Sequence, residues 1–319
     1  MRYVTGLFVL LSVPLVSVAQ APKGPQIKAL KGAEGIYLCT ALSTDGKTLA
    51  VGSRDGKVVL WDAETRKELH EMSGHKGKVL AVAFGPKGEF AVSVGIDKTV
   101  RVWTLDGKEK MRPVGPTKDV PTCIAVSTDG KRIAYAGWDG VIYQLNAENG
   151  EAIGDRPAEQ GPIFSLAFSP DGKWLASGGR NGTVQIFEAT NELKPVTTLP
   201  DHGKTVWAVS WAPDSNLLAA SADKAVKLWN VADKKPVQEL KGHAATIRSV
   251  AFTDDGKKLV SGSEDKTVKI WDAGGKTLET LVAAAGPVVG VAVSPNGKSI
   301  YAVADEAGQS ARVFVLGKE

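Results

Sequence analysis

Two sets of serine, histidine and aspartate occur along the chain with the same internal spacing. The two sets are His75, Ser93 and Asp97, and His243, Ser261 and Asp265. In a hydrolase, a histidine takes the proton of a nucleophilic hydroxyl while a carboxylate orients the imidazole. The residue types therefore allow acyl-transfer chemistry, provided that the elements that carry them expose the serine to a substrate.

Other chemical motifs are missing from the sequence. It contains no CxxC, HxxxH or HExxH spacing that could hold a metal, and no CxxCH that could attach haem. Gly-Lys-Thr triplets begin at Gly46, Gly203 and Gly275, but they lack the upstream glycine of a phosphate-binding loop. His70 stands alone on a predicted outer strand. No catalytic residue, metal ligand or cofactor is predicted outside the two sets.

The elements that carry both sets belong to a repeat of 42 residues. Trp61 and Trp103 lie 42 residues apart, and further aromatic or leucine residues continue the series. The full series is Trp61, Trp103, Leu145, Phe187, Trp229, Trp271 and, one residue late, Phe314. A repeat of about 40 to 45 residues is typical of a four-stranded propeller blade. Seven such units fill residues 25 to 319 and predict one domain over residues 20–319.

Within each unit, short alternating runs are separated by glycine-containing turns. In the sixth unit, 247–252, 259–263, 268–271 and 277–281 each have strand character. Hairpin glycines such as Gly172 and Gly256 supply the positive φ that tight turns require. The chain is therefore predicted to be all-β.

These repeats resemble the WD-repeat family. Gly74-His75 followed by Trp103, and Gly242-His243 followed by Trp271-Asp272, match the family's opening and closing dipeptides. The turn sequence 169–173 recurs in variant form. The resemblance implies a seven-bladed β-propeller of four-stranded antiparallel blades.

The resemblance also implies a structural role for the two serine, histidine and aspartate sets. With Trp103 or Trp271 added, each becomes the family's tetrad, a buried hydrogen-bonded chain inside a blade. A serine held in that way cannot face a substrate, and buried polar groups are normally paired. The tetrad is incomplete elsewhere, because Ala219 and Val51 replace the serine in the fifth and first units.

The N-terminus predicts how the ring closes. The seventh unit has three predicted strands, near 288–293, 299–304 and 311–316. Residues 26–32 align with the outer strand of the fifth unit and could supply the fourth strand. An exposed sheet edge invites pairing with other chains, so this strand would hide the edge and close the ring.

Residues 1–19 have the pattern of a secretory signal peptide. Arg2 precedes an apolar stretch, and Ser17-Val18-Ala19 provides the small residues of a cleavage site before Gln20. The stretch is short and interrupted by Pro14, unlike the roughly 20 apolar residues of a membrane span. The protein is therefore expected to be exported to the periplasm or the extracellular space, with no membrane span after cleavage. An uncleaved anchor is the alternative.

The charge limits the classes of partner that are expected, and the cysteine positions bear on a possible disulfide. The formal net charge is +4 without a basic block, which disfavours binding to nucleic acid. Cys39 and Cys123 occupy equivalent inner-strand positions two blades apart, so they are predicted to be packing residues and not a disulfide. A monomer is expected.

The remaining functional hypothesis concerns one face of the propeller. By resemblance, partners are met around the central channel, by residues that flank the start of each inner strand and by the residue before each turn acid. The candidate partner-binding residues are Arg54, Trp138, Phe164, Arg180, Trp207 and Arg248. Aromatic residues and arginine dominate binding hot spots.

The sequence thus favours a non-enzymatic scaffold that binds a protein or peptide. The alternatives are a propeller enzyme of the envelope, such as a hydrolase or lyase, and a glycan-binding protein whose aromatic residues stack on sugar rings.

Overall fold

The computed structural model describes residues 26–30, 36–111, 114–115, 117–158, 161–200, 202–272, 274–282, 286–305 and 312–315. Over these residues the chain is all-β, apart from one short 3-10 turn at Pro86–Gly88. The expected signal peptide and residues 31–32 of the expected closing strand lie outside the described residues.

The strands form consecutive antiparallel sheets, numbered here by their order in the chain. The first sheet contains β2 (Tyr37–Leu42), β3 (Thr48–Ser53), β4 (Lys57–Asp62) and β5 (Glu68–Ser73). The second contains β6 (Val79–Phe84), β7 (Phe90–Gly95) and β8 (Val100–Thr104). The third contains β9 (Pro121–Val126), β10 (Arg132–Gly137), β11 (Val141–Asn146) and β12 (Ala152–Pro157). The fourth contains β13 (Ile163–Phe168), β14 (Trp174–Gly179), β15 (Val184–Glu188) and β16 (Pro195–Leu199).

The same order continues to the C-terminal sheet. The fifth sheet contains β17 (Val209–Trp211), β18 (Leu217–Ala222), β19 (Ala225–Asn230) and β20 (Lys235–Lys241). The sixth contains β21 (Ile247–Phe252), β22 (Lys258–Ser263), β23 (Thr267–Asp272) and β24 (Thr277–Val282). The seventh contains β1 (Gln26–Ala29), β25 (Val288–Val293), β26 (Ser299–Ala304) and β27 (Arg312–Val315).

Six of these sheets are four-stranded blades, so the prediction of seven four-stranded blades is wrong for the second unit. Among the residues that the structure describes, that sheet has three strands. Where a fourth strand was expected, two isolated bridges join Val100 to Val114 and Trp103 to Glu109.

The first and last parts of the chain share the seventh sheet. β1 pairs antiparallel with β27, with Gln26 opposite Val315 and Ala29 opposite Arg312. Leu30, directly after β1, is buried in a cluster that includes Trp61 and Tyr301. The Tyr301 hydroxyl donates to the Ala63 carbonyl at 3.1 Å, which links the seventh sheet to the first.

Burial is graded across each sheet, and this explains the residue pattern. All six residues of β3 and of β7 are buried, and apart from Thr48, Ser53 and Ser93 they carry no polar side chain. By contrast, the outer strand β5 is exposed at every residue except Met72. The hydrophobic clusters lie between neighbouring sheets, as between the first and second sheets around Leu60 and Trp103. Burial of this apolar surface is the main stabilising force between the blades.

A β-bulge near the start of the inner strand recurs in six sheets. In the fourth sheet, Ile163 pairs with Gly179 and Ser165 with Gly178, so Phe164 is left outside the ladder. The residues skipped in this way are Leu38, Leu80, Thr122, Phe164, Arg248 and Val289. Bulges re-aim a side chain, and these six side chains line one central channel of about 230 Å³.

Candidate binding face at the channel mouth

The predicted tetrad of the second sheet is joined by hydrogen bonds. Trp103 Nε1 donates to Ser93 Oγ at 2.8 Å, and Ser93 Oγ lies 2.8 Å from His75 Nε2. His75 Nδ1 lies 2.9 Å from Asp97 Oδ1. Because an indole N–H can only donate, the serine hydroxyl donates its own proton to Nε2, and the imidazole proton on Nδ1 faces the carboxylate.

The sixth sheet repeats this arrangement. Trp271 Nε1 donates to Ser261 Oγ at 2.8 Å, His243 Nε2 lies 2.8 Å from the same oxygen, and His243 Nδ1 lies 2.8 Å from Asp265 Oδ2. Both serines are fully buried. A substrate cannot reach a hydroxyl in that position, so neither set can act as a hydrolase triad.

The pKa values of these groups follow from their surroundings. Burial lowers the pKa of His75 and of His243, so both imidazoles are neutral at pH 7. Burial alone would raise the pKa of Asp265, but hydrogen bonds from Thr267, the Ala244 amide and His243 lower it to about 2. Each tetrad therefore contains one carboxylate and a neutral histidine.

The incomplete tetrads differ in how their indole N–H groups are satisfied. In the fifth sheet, Ala219 leaves no hydroxyl, and Trp229 Nε1 donates directly to His202 Nε2 at 2.9 Å. In the first sheet, Val51 replaces the serine, and the buried Trp61 Nε1 has no hydrogen-bond partner among the described residues. Loss of the serine thus leaves the tryptophan N–H bonded to histidine in the fifth sheet and without a partner among the described residues in the first sheet.

The aromatic candidates form a continuous stack at the channel mouth, the end of the channel where the inner strands begin. The ring centroids of Trp138 and Phe164 are 5.8 Å apart in an edge-on arrangement. Phe164 and Trp207 stack at 4.4 Å, and the guanidinium carbon of Arg248 lies 3.8 Å from the centroid of the Trp207 ring. Arg248 Nε donates to Glu264 Oε1 at 2.7 Å.

The stack is supported by the backbone of four sheets. Phe164 and Arg248 are bulge residues, whereas Trp207 precedes β17. Its backbone N–H donates to the Ser221 hydroxyl at 2.9 Å, which holds this residue beside the fifth sheet. The sequence placed Glu264 on this face, as the residue before the turn acid of the sixth unit, but did not single out Ser221. A polar residue at the end of the second strand is the signal that could have indicated Ser221.

Exposure divides the candidates into two groups. Phe164, Trp207 and Arg248 are half-buried, while Trp138 is 48% exposed. Arg54 and Arg180 are exposed and take part in no ion pair among the described residues. The structure therefore brings Trp138, Phe164, Trp207 and Arg248 together and leaves the other two arginines outside the stack.

The cysteines and the potential metal ligands are the remaining chemical groups. Cys39 and Cys123 are free thiols, and burial raises the pKa of each to about 12. No group of three metal-ligating side chains occurs within the described ranges. Among the same residues, no helix has the length and apolar character needed to cross a membrane.

Comparison with known proteins gives one family and two partial relatives. The family profile "WD domain, G-beta repeat" matches residues 24–62, 66–104, 107–144, 152–188, 193–230 and 234–272. A 63-residue segment is 38% identical to NACHT domain- and WD repeat-containing protein 1 of Mus musculus, and covers 20% of this chain and 4% of that protein. A 55-residue segment is 40% identical to U3 small nucleolar RNA-interacting protein 2 of Homo sapiens, and covers 15% of this chain and 12% of that protein. The similarity therefore spans a small part of each relative.

Proposed function

Because the chain belongs to the WD-repeat family, we propose that it is a non-enzymatic scaffold that binds a protein or peptide at its channel mouth. The observation that carries this proposal is the stack from Trp138 to Arg248. It places aromatic rings and a guanidinium, the groups that dominate binding hot spots, at the rim of a channel.

The non-enzymatic part of the proposal is supported by the state of the two tetrads. They are the sites in the described structure where serine, histidine and aspartate meet, and their serines are buried and hydrogen-bonded on both sides. Glycan binding is the weaker alternative, because Phe164 and Arg248 already contact the Trp207 ring.

The proposal also covers the closure of the ring and the location of the protein, both as predicted from the sequence. The seven sheets form one ring whose last blade is completed by β1, residues 1–19 are a cleaved signal peptide, and the mature chain is an exported monomer in the periplasm or extracellular space. The human relative's name refers to interaction with RNA, but we do not extend that property to this chain. A net charge of +4 without a basic block disfavours nucleic acid as the partner.

The proposal is tested by capture on the immobilised mature chain, residues 20–319, from an envelope extract, followed by affinity measurements with the captured protein. Trp138→Ala should weaken binding by about 1 kcal/mol or more, as for hot-spot aromatics. Val237→Ala is the matched control, because Val237 is 55% exposed on the outer strand β20. Equal affinities of the two variants would contradict the proposal.

Trp207→Ala and Arg180→Glu extend the same test. Trp207 is packed between Phe164 and Arg248, so its replacement should lower both affinity and melting temperature. Arg180→Glu should lower affinity alone, because Arg180 is exposed. A melting curve for each variant separates lost binding from lost stability.

A further inference from the structure

Four residues spaced 42 apart form an arc on the channel-mouth face, and the arc shares Trp138 with the stack. The arc consists of Arg54, Ile96, Trp138 and Arg180, one from each of the first four sheets. Each of them immediately precedes the turn acid or amide between the second and third strands of its sheet. Equivalent positions on neighbouring blades lie side by side along one face.

The backbone holds all four residues in the same way. The backbone N–H of Arg54 donates to the carbonyl of Ile36 at 2.8 Å, and that of Ile96 donates to the carbonyl of Lys78 at 2.9 Å. Trp138 bonds to Val120 at 3.3 Å and Arg180 to Pro162 at 2.9 Å in the same manner. These bonds tie each arc residue to the segment that leads into the inner strand.

The arc contains two unusual apolar side chains. Ile96 is 45% exposed and Trp138 is 48% exposed. The other large apolar side chains that the structure describes as exposed all lie on the outer strands β5, β16, β20 and β24. The apolar exposure of the channel-mouth face is therefore concentrated in the second and third sheets, where adjacent exposed apolar groups indicate a contact surface.

Cations outnumber acids around these two residues, although the acids Asp55 and Asp119 also lie in these loops. Exposed Arg54 and Arg180 flank Ile96 and Trp138, and Lys76 and Lys78 lie in the segment that joins the first and second sheets. The acids that directly follow Ile96 and Trp138 accept hydrogen bonds from neutral groups and keep their charge: Asp97 from His75 and the Lys76 amide, and Asp139 from the Tyr143 hydroxyl at 2.8 Å.

The corresponding positions on the other three sheets carry no cation. They are Ala222, Glu264 and Asp305. Glu264 is also paired with Arg248, so the positive charge of that arginine is neutralised. At this repeat position, cationic and large apolar side chains therefore occur only on the first four sheets.

We propose that the arc binds an acidic peptide segment of a partner protein, with one large apolar side chain seated between Ile96 and Trp138 and carboxylates paired with Arg54 and Arg180. This inference rests on the proposed function and specifies the chemistry of the partner. Opposite charge steers association and fixes orientation, while the apolar anchor supplies most of the affinity.

The test is a selection of displayed random peptides, about a dozen residues long, on the immobilised mature chain. The double variant Arg54→Glu/Arg180→Glu serves as the counter-selection. Enriched peptides should carry a net negative charge and at least one Leu, Phe or Trp. Their affinity should fall about tenfold with Arg180→Glu and with Trp138→Ala, the usual effect of losing one hot-spot group. It should also fall as the salt concentration rises.

Two variants outside the arc are the controls. Lys257→Glu reverses an exposed charge in the hairpin between β21 and β22, and Val237→Ala shortens an exposed apolar side chain on β20. Both should leave the affinity of the selected peptides unchanged. Melting curves should show that all variants are folded.

Three results would overturn the inference. The enriched peptides could carry no excess of acidic residues and depend for binding on Phe164 or Arg248. This result would support the peptide-binding function but rule out an acidic partner. Acidic peptides that bind equally well without an apolar residue would show a simple anion patch. If nothing is enriched over the counter-selection, the arc is not a peptide site, and the capture experiment decides the proposed function separately.

Discussion

At the scale of single residues, the tetrads show how burial changes the meaning of a motif. Serine, histidine and aspartate at these spacings are compatible with nucleophilic catalysis, but here the serine accepts from an indole and donates to an imidazole. In a complete tetrad, each member satisfies a polar group of its neighbour. Removal of one member leaves buried partners unpaired, and this unpaired state is what costs free energy.

Asp265→Ala should therefore destabilise the protein more than Asp305→Ala. Asp265 accepts from His243 and from the Ala244 amide inside the sixth blade, whereas Asp305 occupies the same repeat position in the seventh sheet and is exposed. Breaking the buried network should cost about 1 to 3 kcal/mol, against less than about 0.5 kcal/mol for the exposed acid. Chemical unfolding of both variants measures the difference, and equal losses would contradict the structural role of the tetrad.

The stability should also fall as the pH is lowered from 7 to 5. Burial lowers the folded-state pKa of His75 and His243, so below the ordinary value of 6.5 the unfolded chain binds more protons than the folded one. This stabilisation is present above pH 6.5 and is lost as the pH falls below it. The depressed pKa of Asp265, about 2, contributes only at much lower pH.

Melting temperatures measured between pH 7 and pH 5 test this expectation. The double variant His75→Gln/His243→Gln should have a flatter pH profile than the natural chain, although its stability at pH 7 is lower. His70→Gln is the control, because His70 is exposed on β5. A profile as steep in the double variant as in the control would rule out the two buried imidazoles as its source.

At the scale of strands and sheets, the repeat explains which features the sequence could predict. The turn residues and inner strands recur every 42 residues, so their positions follow from local pattern alone. Blade-seven strands expected near 288–293 and 299–304 occur at those bounds. The three-stranded second sheet was not predicted, because the segment after β8 has the spacing of an outer strand and its residue pattern does not set it apart from the other outer strands.

Side-chain contacts between blades were harder to predict than the strands. The sequence placed Phe164, Trp207 and Arg248 on one face, but their mutual stacking depends on the bulges and on the Ser221 contact that orients Trp207. Likewise, Val51 indicated a broken tetrad without showing that Trp61 Nε1 would remain unpaired while Trp229 found His202. Such outcomes depend on small shifts in packing that leave no pattern in a single sequence.

The pairing of β1 with β27 predicts a strong effect of N-terminal truncation. Deletion of residues 20–32 removes β1 and the buried Leu30, and it exposes the edge of β27 to other chains. The truncated protein should aggregate or lose much of its stability. Deletion of residues 20–25 is the matched control, because it leaves β1 and Leu30 in place.

A point variant separates the anchoring side chain from the strand itself. Leu30→Ala should cost about 2 to 5 kcal/mol, the usual range for a buried leucine, without exposing the sheet edge. Light scattering and thermal unfolding of the three variants measure both effects. If deletion of residues 20–32 leaves a monomer with an unchanged melting temperature, β1 does not close the ring.

At the scale of the whole molecule, the proposed binding face depends on the assembly of the sheets, and the proposed cleavage decides where the chain that forms them begins. The arc and the stack lie at the ends of strands where the sheets meet the channel, so they exist only when the sheets are assembled around it. The N-terminal strand that completes the seventh sheet begins shortly after the predicted cleavage site at Ala19. A cleaved chain would thus begin with a short segment that leads directly into β1.

The last prediction concerns that cleavage. Expressed from residue 1 in a host with a secretory pathway, the protein should appear outside the cytoplasm with Gln20 as its first residue, as shown by intact-mass measurement of the fractionated protein. Leu10→Arg places a charge inside the apolar stretch, and Ala19→Arg puts a large side chain where signal peptidase requires a small one. The first variant should remain in the cytoplasm, and the second should keep its N-terminal residues.

The control is Ala33→Arg, which lies beyond the cleavage site and should be processed normally. A natural chain recovered from the cytoplasm with residues 1–19 still attached would contradict export, while the binding proposals would still be testable on residues 20–319.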